Sequence, residues 1–170
     1  MKKILYVIIV WIAFYFPAVS QENSEVLPAS HGKNVFLELG GNGGLISANY
    51  DMRFSRTGKG LGFRVGIGYV PPVPLLFVST PSIKTFPVGL NYLAGKGPHY
   101  FEGGIGVTVA SAETDYFGDE ENMTGFAFVP NIAYRYQPLT RRFTGRVSIS
   151  PFIGSGGVMF WAGLSGGFRL

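Results

Sequence analysis

Leu61-Gly62-Phe63-Arg64-Val65-Gly66-Ile67-Gly68-Tyr69 decides the fold of this chain. Leu61, Phe63, Val65, Ile67 and Tyr69 occupy every second position, with Gly62, Arg64, Gly66 and Gly68 between them. A period of two places the large apolar side chains on one face of a β-strand and the glycines and arginine on the other. The preceding stretch repeats the alternation. Ile46, Ala48, Tyr50, Met52 and Phe54 share one face, and Leu45, Ser47, Asn49, Asp51 and Arg53 the opposite one.

Extending the pattern gives eight segments, at about 34–41, 44–54, 61–70, 82–93, 99–110, 124–136, 143–152 and 158–170. Several reach 10–13 residues. Strands of soluble domains usually have about five or six, whereas tilted strands crossing a bilayer need about 9–11. Composition points the same way. Hydrophobic residues make up 46% of the chain and charged residues 14%, against about 25% charged in ordinary globular domains. No apolar run after residue 20 is long enough for a membrane helix. The expectation is an all-β, closed, antiparallel, up-and-down transmembrane barrel of about eight strands.

The N-terminus reads as an export signal. Lys2 and Lys3 precede the apolar run Ile4 to Phe16, and Ala18-Val19-Ser20 supplies small residues for cleavage after Ser20. The domain plan is then a signal peptide at 1–20, an N-terminal lead at 21–33 and a barrel at 34–170. The expected location is the outer membrane of a Gram-negative bacterium. Removing Lys2 and Lys3 from fourteen basic residues leaves twelve against ten acids, a net +2. That balance, with no basic patch interleaved with aromatics, gives no reason to expect a nucleic-acid partner. The chain has no cysteine, which excludes a disulfide framework, a thiolate metal site and a lipidated cysteine.

Aromatic placement is an independent signal. Phe54, Phe63, Tyr92, Phe101, Tyr136, Phe143 and Phe168 all fall outward by parity, near the C-terminus or the short links at 55–60, 94–98 and 137–142, the expected periplasmic turns. They form the girdle expected at one membrane interface. Tyr69, Phe86, Phe126, Phe128 and Phe160 cluster toward the other end.

Pro87-Val88-Gly89-Leu90-Asn91-Tyr92-Leu93-Ala94-Gly95-Lys96 and Phe101-Glu102-Gly103-Gly104-Ile105-Gly106 resemble the central hairpin of a family of small eight-stranded outer-membrane β-barrel proteins. The resemblance implies fold and location, and no catalytic motif comes with it. The chain ends in Leu170, where such barrels usually end in an aromatic residue.

Inward parity collects Glu38, Asp51, Arg53, Arg64, Glu102, Arg135, Arg146 and Arg169. An eight-stranded barrel is just wide enough to be filled by side chains, and buried charges must pair. The expectation is a plugged interior in which the three acids neutralise arginines. The alternative is a narrow path for small, anionic solutes. Two long links could contact partners: 71–81, with Leu75, Leu76 and Phe77, and 111–123, with Asp115, Tyr116 and Phe117. The second carries five acids that could bind Ca²⁺, although their spacing is not that of an EF-hand. A solvated acidic loop is the simpler expectation. Gly40–Gly44 reads as a tight hairpin. The histidines, His31 and His99, have no nucleophile arranged beside them, so a lipid-modifying enzyme is the least supported reading. No cofactor or metal site is expected. The expected partners are outer-membrane lipid, the barrel assembly machinery and an unidentified surface partner.

Overall fold

The computed structural model describes residues 32–55, 57–72, 74–75, 78–79, 81–116, 119–138 and 140–170. The expected export signal and nearly all of the expected N-terminal lead lie outside the described residues, as do Leu76, Phe77 and Phe117. The elements run β1 (Lys33–Gly40), a 3-10 turn (Gly41–Gly43), β2 (Ile46–Arg53), β3 (Gly60–Val70), the two-residue strands β4 (Pro74–Leu75) and β5 (Val78–Ser79), β6 (Ser82–Lys96), β7 (His99–Tyr116), β8 (Asp119–Phe128), β9 (Asn131–Tyr136), β10 (Phe143–Gly154) and β11 (Gly157–Arg169).

All ladders are antiparallel, and β11 pairs with β1 to close the ring, Val35 opposite Phe168 and Leu39 opposite Leu164. β8 and β9 form one wall of the barrel. Val107 faces Phe128 and Gly104 faces Asn131, so the register along β7 runs unbroken past Pro130. The ring therefore has eight walls. The eight segments read from the sequence coincide with these walls to within a few residues at most ends. The exceptions are the far ends of β7 and β8. There the ladder continues to Tyr116 opposite Asp119, so most of the expected acidic loop is a hairpin.

The faces sort as parity requires. Leu37, Ile67, Leu90, Ile105, Ile132, Ile149 and Leu164 are exposed on the outside, while Asn49, Asp51, Arg64, Glu102 and Arg146 are buried inside. This arrangement is apolar out and polar in, the reverse of a soluble core. Of the seven girdle residues, six are exposed. Phe63 is half-buried, its ring centroid 6.1 Å from that of Phe54 and 6.3 Å from that of Tyr50. Phe143 and Phe168 meet edge to face at 6.1 Å. Gly145 and Gly166 lie under the Phe143 ring, which covers backbone that the glycines would otherwise leave bare.

Placing an arginine outward at mid-band separates a lipid-facing wall from a wetted one. Ile149→Arg is expected to destabilise the barrel in vesicles by about 2–4 kcal/mol, and Phe143→Arg, near the rim, by at most about 1. Equal effects in urea titrations would mean that the outer face does not meet hydrocarbon.

Candidate functional site

The interior is built around a chain of alternating charges. Its order is Arg64, Glu38, Arg146, Glu102, Arg135, Asp51, Arg53. Glu102 is the hub, 2.6 Å from Arg135 Nη2 and 3.0 Å from Arg146 Nη1. Asp51 takes Arg135 Nη1 at 2.8 Å and pairs with Arg53. Glu38 pairs with Arg146 and stands 3.4 Å from Arg64 Nη2. The three carboxylates are at most 1% exposed. Asn91 links two of them, donating to Asp51 Oδ1 at 3.2 Å and to Glu102 Oε1 at 3.0 Å. The guanidinium groups of Arg146 and Arg64 lie 4.6 Å and 5.3 Å from the Phe36 ring centre, both within cation–π range.

Each charge is positioned by strand parity, and space comes from the glycines. A Cβ at Gly62 would strike the Arg53 guanidinium, one at Gly66 the Asn49 amide, and one at Gly104 the Asn131 amide. Four arginines against three acids leave one positive charge in excess. Arg64 is the loose end, because its Nε and Nη1 have no hydrogen-bond partner.

One expected member does not join. Arg169 is half-buried at the last rung of β11 and donates to the carbonyl oxygens of Pro138, at 2.5 Å, and Arg141. A long side chain at a strand end reaches the neighbouring turn more easily than the acids deep inside. Arg169 therefore ties the C-terminus to the β9–β10 turn.

The Gly40–Gly44 link is the expected hairpin turn, with Leu39 opposite Ile46 and the Gly40 N–H donating to Leu45 O at 2.8 Å, but its direction departs from expectation. It folds inward and closes the outer end of the lumen, lying against β3, β6, β7, β10 and β11. The Asn42 carbonyl accepts from Thr108 Oγ1 at 2.7 Å, and its Oδ1 accepts from Ser150 Oγ at 2.6 Å. The Gly43 carbonyl accepts from Thr85 Oγ1 at 2.6 Å, and the Gly44 carbonyl from Trp161 Nε1 at 3.0 Å. Gly40, Gly41 and Gly44 all have positive φ, 73°, 75° and 90°, conformations that L side chains resist. The space beside Arg64, Asn42, Asn91 and Asn131 measures about 10 Å³, roughly the room for one water molecule.

Leu75 belongs to the short β4–β5 ladder, opposite Val78. Asp115 and Tyr116 continue β7, opposite Glu120 and Asp119. His99 bonds through Nδ1 to the Tyr134 hydroxyl at 2.5 Å and stacks on that ring. It is thus part of the aromatic belt. Among the described residues, no group of three His, Asp or Glu is placed to hold a metal ion.

Fold and interior together define a closed eight-walled barrel with an apolar outside and a charge-filled inside. Solved structures of that kind are similar. The N-terminal β-barrel domain of Pseudomonas aeruginosa OprF superposes with a TM-score of 0.55 at 12% identity, over 80% of this chain and 93% of that one. The crystal structure of Ail, the attachment invasion locus protein of Yersinia pestis, gives 0.54 at 12% identity, over 81% and 95%. Ail in a phospholipid bilayer nanodisc gives 0.55 at 12%, over 81% and 98%. No family model and no curated protein matches the sequence. At this identity the likeness establishes the fold.

Proposed function

We propose that this chain is an outer-membrane barrel with a structural and surface-contact role, exported by a signal peptide cleaved after Ser20 and inserted by the barrel assembly machinery. The observation that carries the reading is the closed interior. A seven-membered charge chain fills the lumen, and the Gly41–Gly43 turn caps it. Such a barrel offers its partners only its outside and its ends. Beyond the last β3–β6 rung, Val70 with Ile83, the β7–β8 hairpin continues to Tyr116 and Asp119. Its sequence carries Glu113, Asp115, Asp119, Glu120 and Glu121, a composition suited to cationic partners. The similar Ail is an attachment protein by its name, which supports a contact role.

Membrane fractionation tests the placement. The protein is expected in the outer-membrane fraction, with a gel mobility that shifts on boiling; an unshifted soluble protein overturns the reading. For the contact role, crosslinking in cells is expected to capture a partner that is lost when residues 71–81 and 111–123 are shortened. Capture that survives shortening of both loops counts against it.

The competing reading is an anion path past the arginines. Planar bilayers containing the folded barrel are expected to stay silent. Conductance that changes in Arg64→Ala or Arg135→Ala would establish the path instead.

A further inference from the structure

The lining of the barrel changes character at the Gly41–Gly43 lid. Below it, the inward positions are mostly Asn, Ser, Thr, Arg, Asp and Glu. Above it, inward positions fall to Val70, Ile83, Met123, Phe152, Met159 and Trp161. Their direction is fixed by neighbours. A Cβ on Gly44 would meet Val70 Cγ2, and the Trp161 indole N–H donates to the Gly44 carbonyl. Ile83 shares the parity of Thr85, and Phe152 that of Ser150; both hydroxyls bond the lid. Met123 stands opposite Ala112, two rungs from Ala110 and four from Thr108. Met123 is 67% exposed and Met159 55%. Among the described side chains, the inward positions that line this cleft above the lid are apolar, and such a surface marks a contact.

The hydrogen-bond ladder of the wall opens at the same height. Ile149 pairs with Ile132 and Ile153 with Phe128, a register that sets Pro151 directly opposite Pro130. The Val129 N–H turns to Gly106 O at 2.7 Å, so Phe128 and Pro130 present their backbone polar groups to β10. Neither proline has an N–H, so the two hydrogen bonds this pair would exchange are missing. Above the single Ile153–Phe128 rung β10 has one more residue, Gly154, beside Phe126 and Ala127, and beyond it β8 pairs only with β7. Phe126 and Phe160 stand outward near the opening, 78% and 75% exposed.

The depth of the opening follows from the strand. Along β11 the outward positions run from Phe168 to Val158. At about 3.3 Å per residue and a tilt of about 40°, that run rises roughly 25 Å, the height of a barrel's apolar band. Phe160, opposite Pro151, therefore lies in the outer-leaflet half.

We propose that one acyl chain of an outer-leaflet bilayer lipid enters sideways between β8 and β10 and rests in this cleft. The inference rests on the membrane placement proposed above. The lining is apolar, the unbonded Pro130–Pro151 step faces hydrocarbon at this depth, and the lid seals the floor, so the chain is held and does not pass through. None of the six lining residues is charged, so recognition is of the acyl chain, and the headgroup stays outside.

Trp161 reports on this directly. The sequence has two tryptophans, Trp11 and Trp161, so Trp11→Phe leaves one probe whether or not the leader is removed. The barrel, extracted from the outer membrane, is reconstituted in vesicles of phosphatidylcholine brominated on one acyl chain. Its fluorescence is compared with that of a Trp11→Phe/Trp161→Phe/Phe160→Trp control, whose single indole faces outward. The expected result is brominated-lipid quenching of Trp161 at least about half that of the control, with little quenching by aqueous acrylamide. Met159→Arg, verified as folded by its boiling shift, is expected to cut the lipid quenching about threefold. Strong acrylamide quenching without lipid quenching means a water-filled mouth and overturns the proposal. Shielding from both quenchers means that the chain's own residues fill the cleft, which also overturns it. Lipid quenching unchanged by Met159→Arg would place the lipid outside the wall, with the same consequence. If the outward control is not quenched by lipid, the membrane placement itself fails and the inference falls with it.

Discussion

Replacing Glu102 with Ala is expected to cost the folded barrel about 3–5 kcal/mol, because it strands charges that cannot return to water. Glu102 is fully buried and holds Arg135, Arg146 and Asn91 at once. Its loss leaves Arg146 with Glu38, and Arg135 with an Asp51 already shared with Arg53. Arg64→Met should behave in the opposite way. Arg64 has one ionic contact, at 3.4 Å, and two unpartnered nitrogens. Removing it takes away the excess cation and a desolvation penalty at little cost in packing. Its stability should change by less than about 1 kcal/mol or rise. Urea midpoints of the two variants refolded in vesicles, measured against the parent, make the comparison. Equal losses would mean that the seven charges act as one unit without a hub.

The second large effect concerns the lid. Gly41→Val places a β-branched side chain at φ +75° with its Cβ against the Glu38 carboxylate. A non-glycine residue in that region costs about 1–3 kcal/mol in strain, and the collision disturbs the Glu38–Arg146 pair besides. The turn is expected to leave the lumen, dropping its bonds to Thr85, Thr108 and Ser150. Backbone amides of 41–44 should then exchange hydrogen at least about tenfold faster than in the parent. Asn42→Ala is the milder companion. It keeps the backbone bonds and leaves only the Ser150 hydroxyl without its acceptor, for about 1–3 kcal/mol. A Gly41→Val barrel with parental exchange at 41–44 would show that the glycine is dispensable there.

The walls were legible in the sequence because alternation survives everything tertiary structure does to a strand. The run from Leu61 to Tyr69 and its neighbours placed Asp51, Arg64, Glu102, Arg135 and Arg146 inside by parity alone. Three features were not legible, each for its own reason. Arg169 has inward parity, but the last rung of a strand offers turn carbonyls within reach of a long side chain. The Gly40–Gly44 run suits a tight hairpin, and the same backbone freedom lets it tuck inward. The hydroxyls and indole that decide between the two lie 42 to 117 residues away in sequence. Pro130 and Pro151 each look like an ordinary strand interruption until the register sets them face to face. Trp161 did carry a signal: its parity groups it with Gly163 and Ser165 on the inner side of β11.

The arrangement of charges along the chain has a consequence for the order of assembly. Glu38 and Asp51 belong to the first hairpin, whereas Arg135 and Arg146 come from the last third of the sequence. The Glu38–Arg146 contact spans 108 residues and the Asp51–Arg135 contact 84. Arg53 and Arg64, on β2 and β3, already stand beside these two carboxylates, so the acid that waits longest is Glu102 on β7, whose ionic partners are Arg135 and Arg146. The network is complete only when β10 brings Arg146 to Glu38 and Glu102 and β11 pairs with β1. A chain that stops before β10 therefore keeps Glu102 without Arg146 and leaves Glu38 with Arg64 alone.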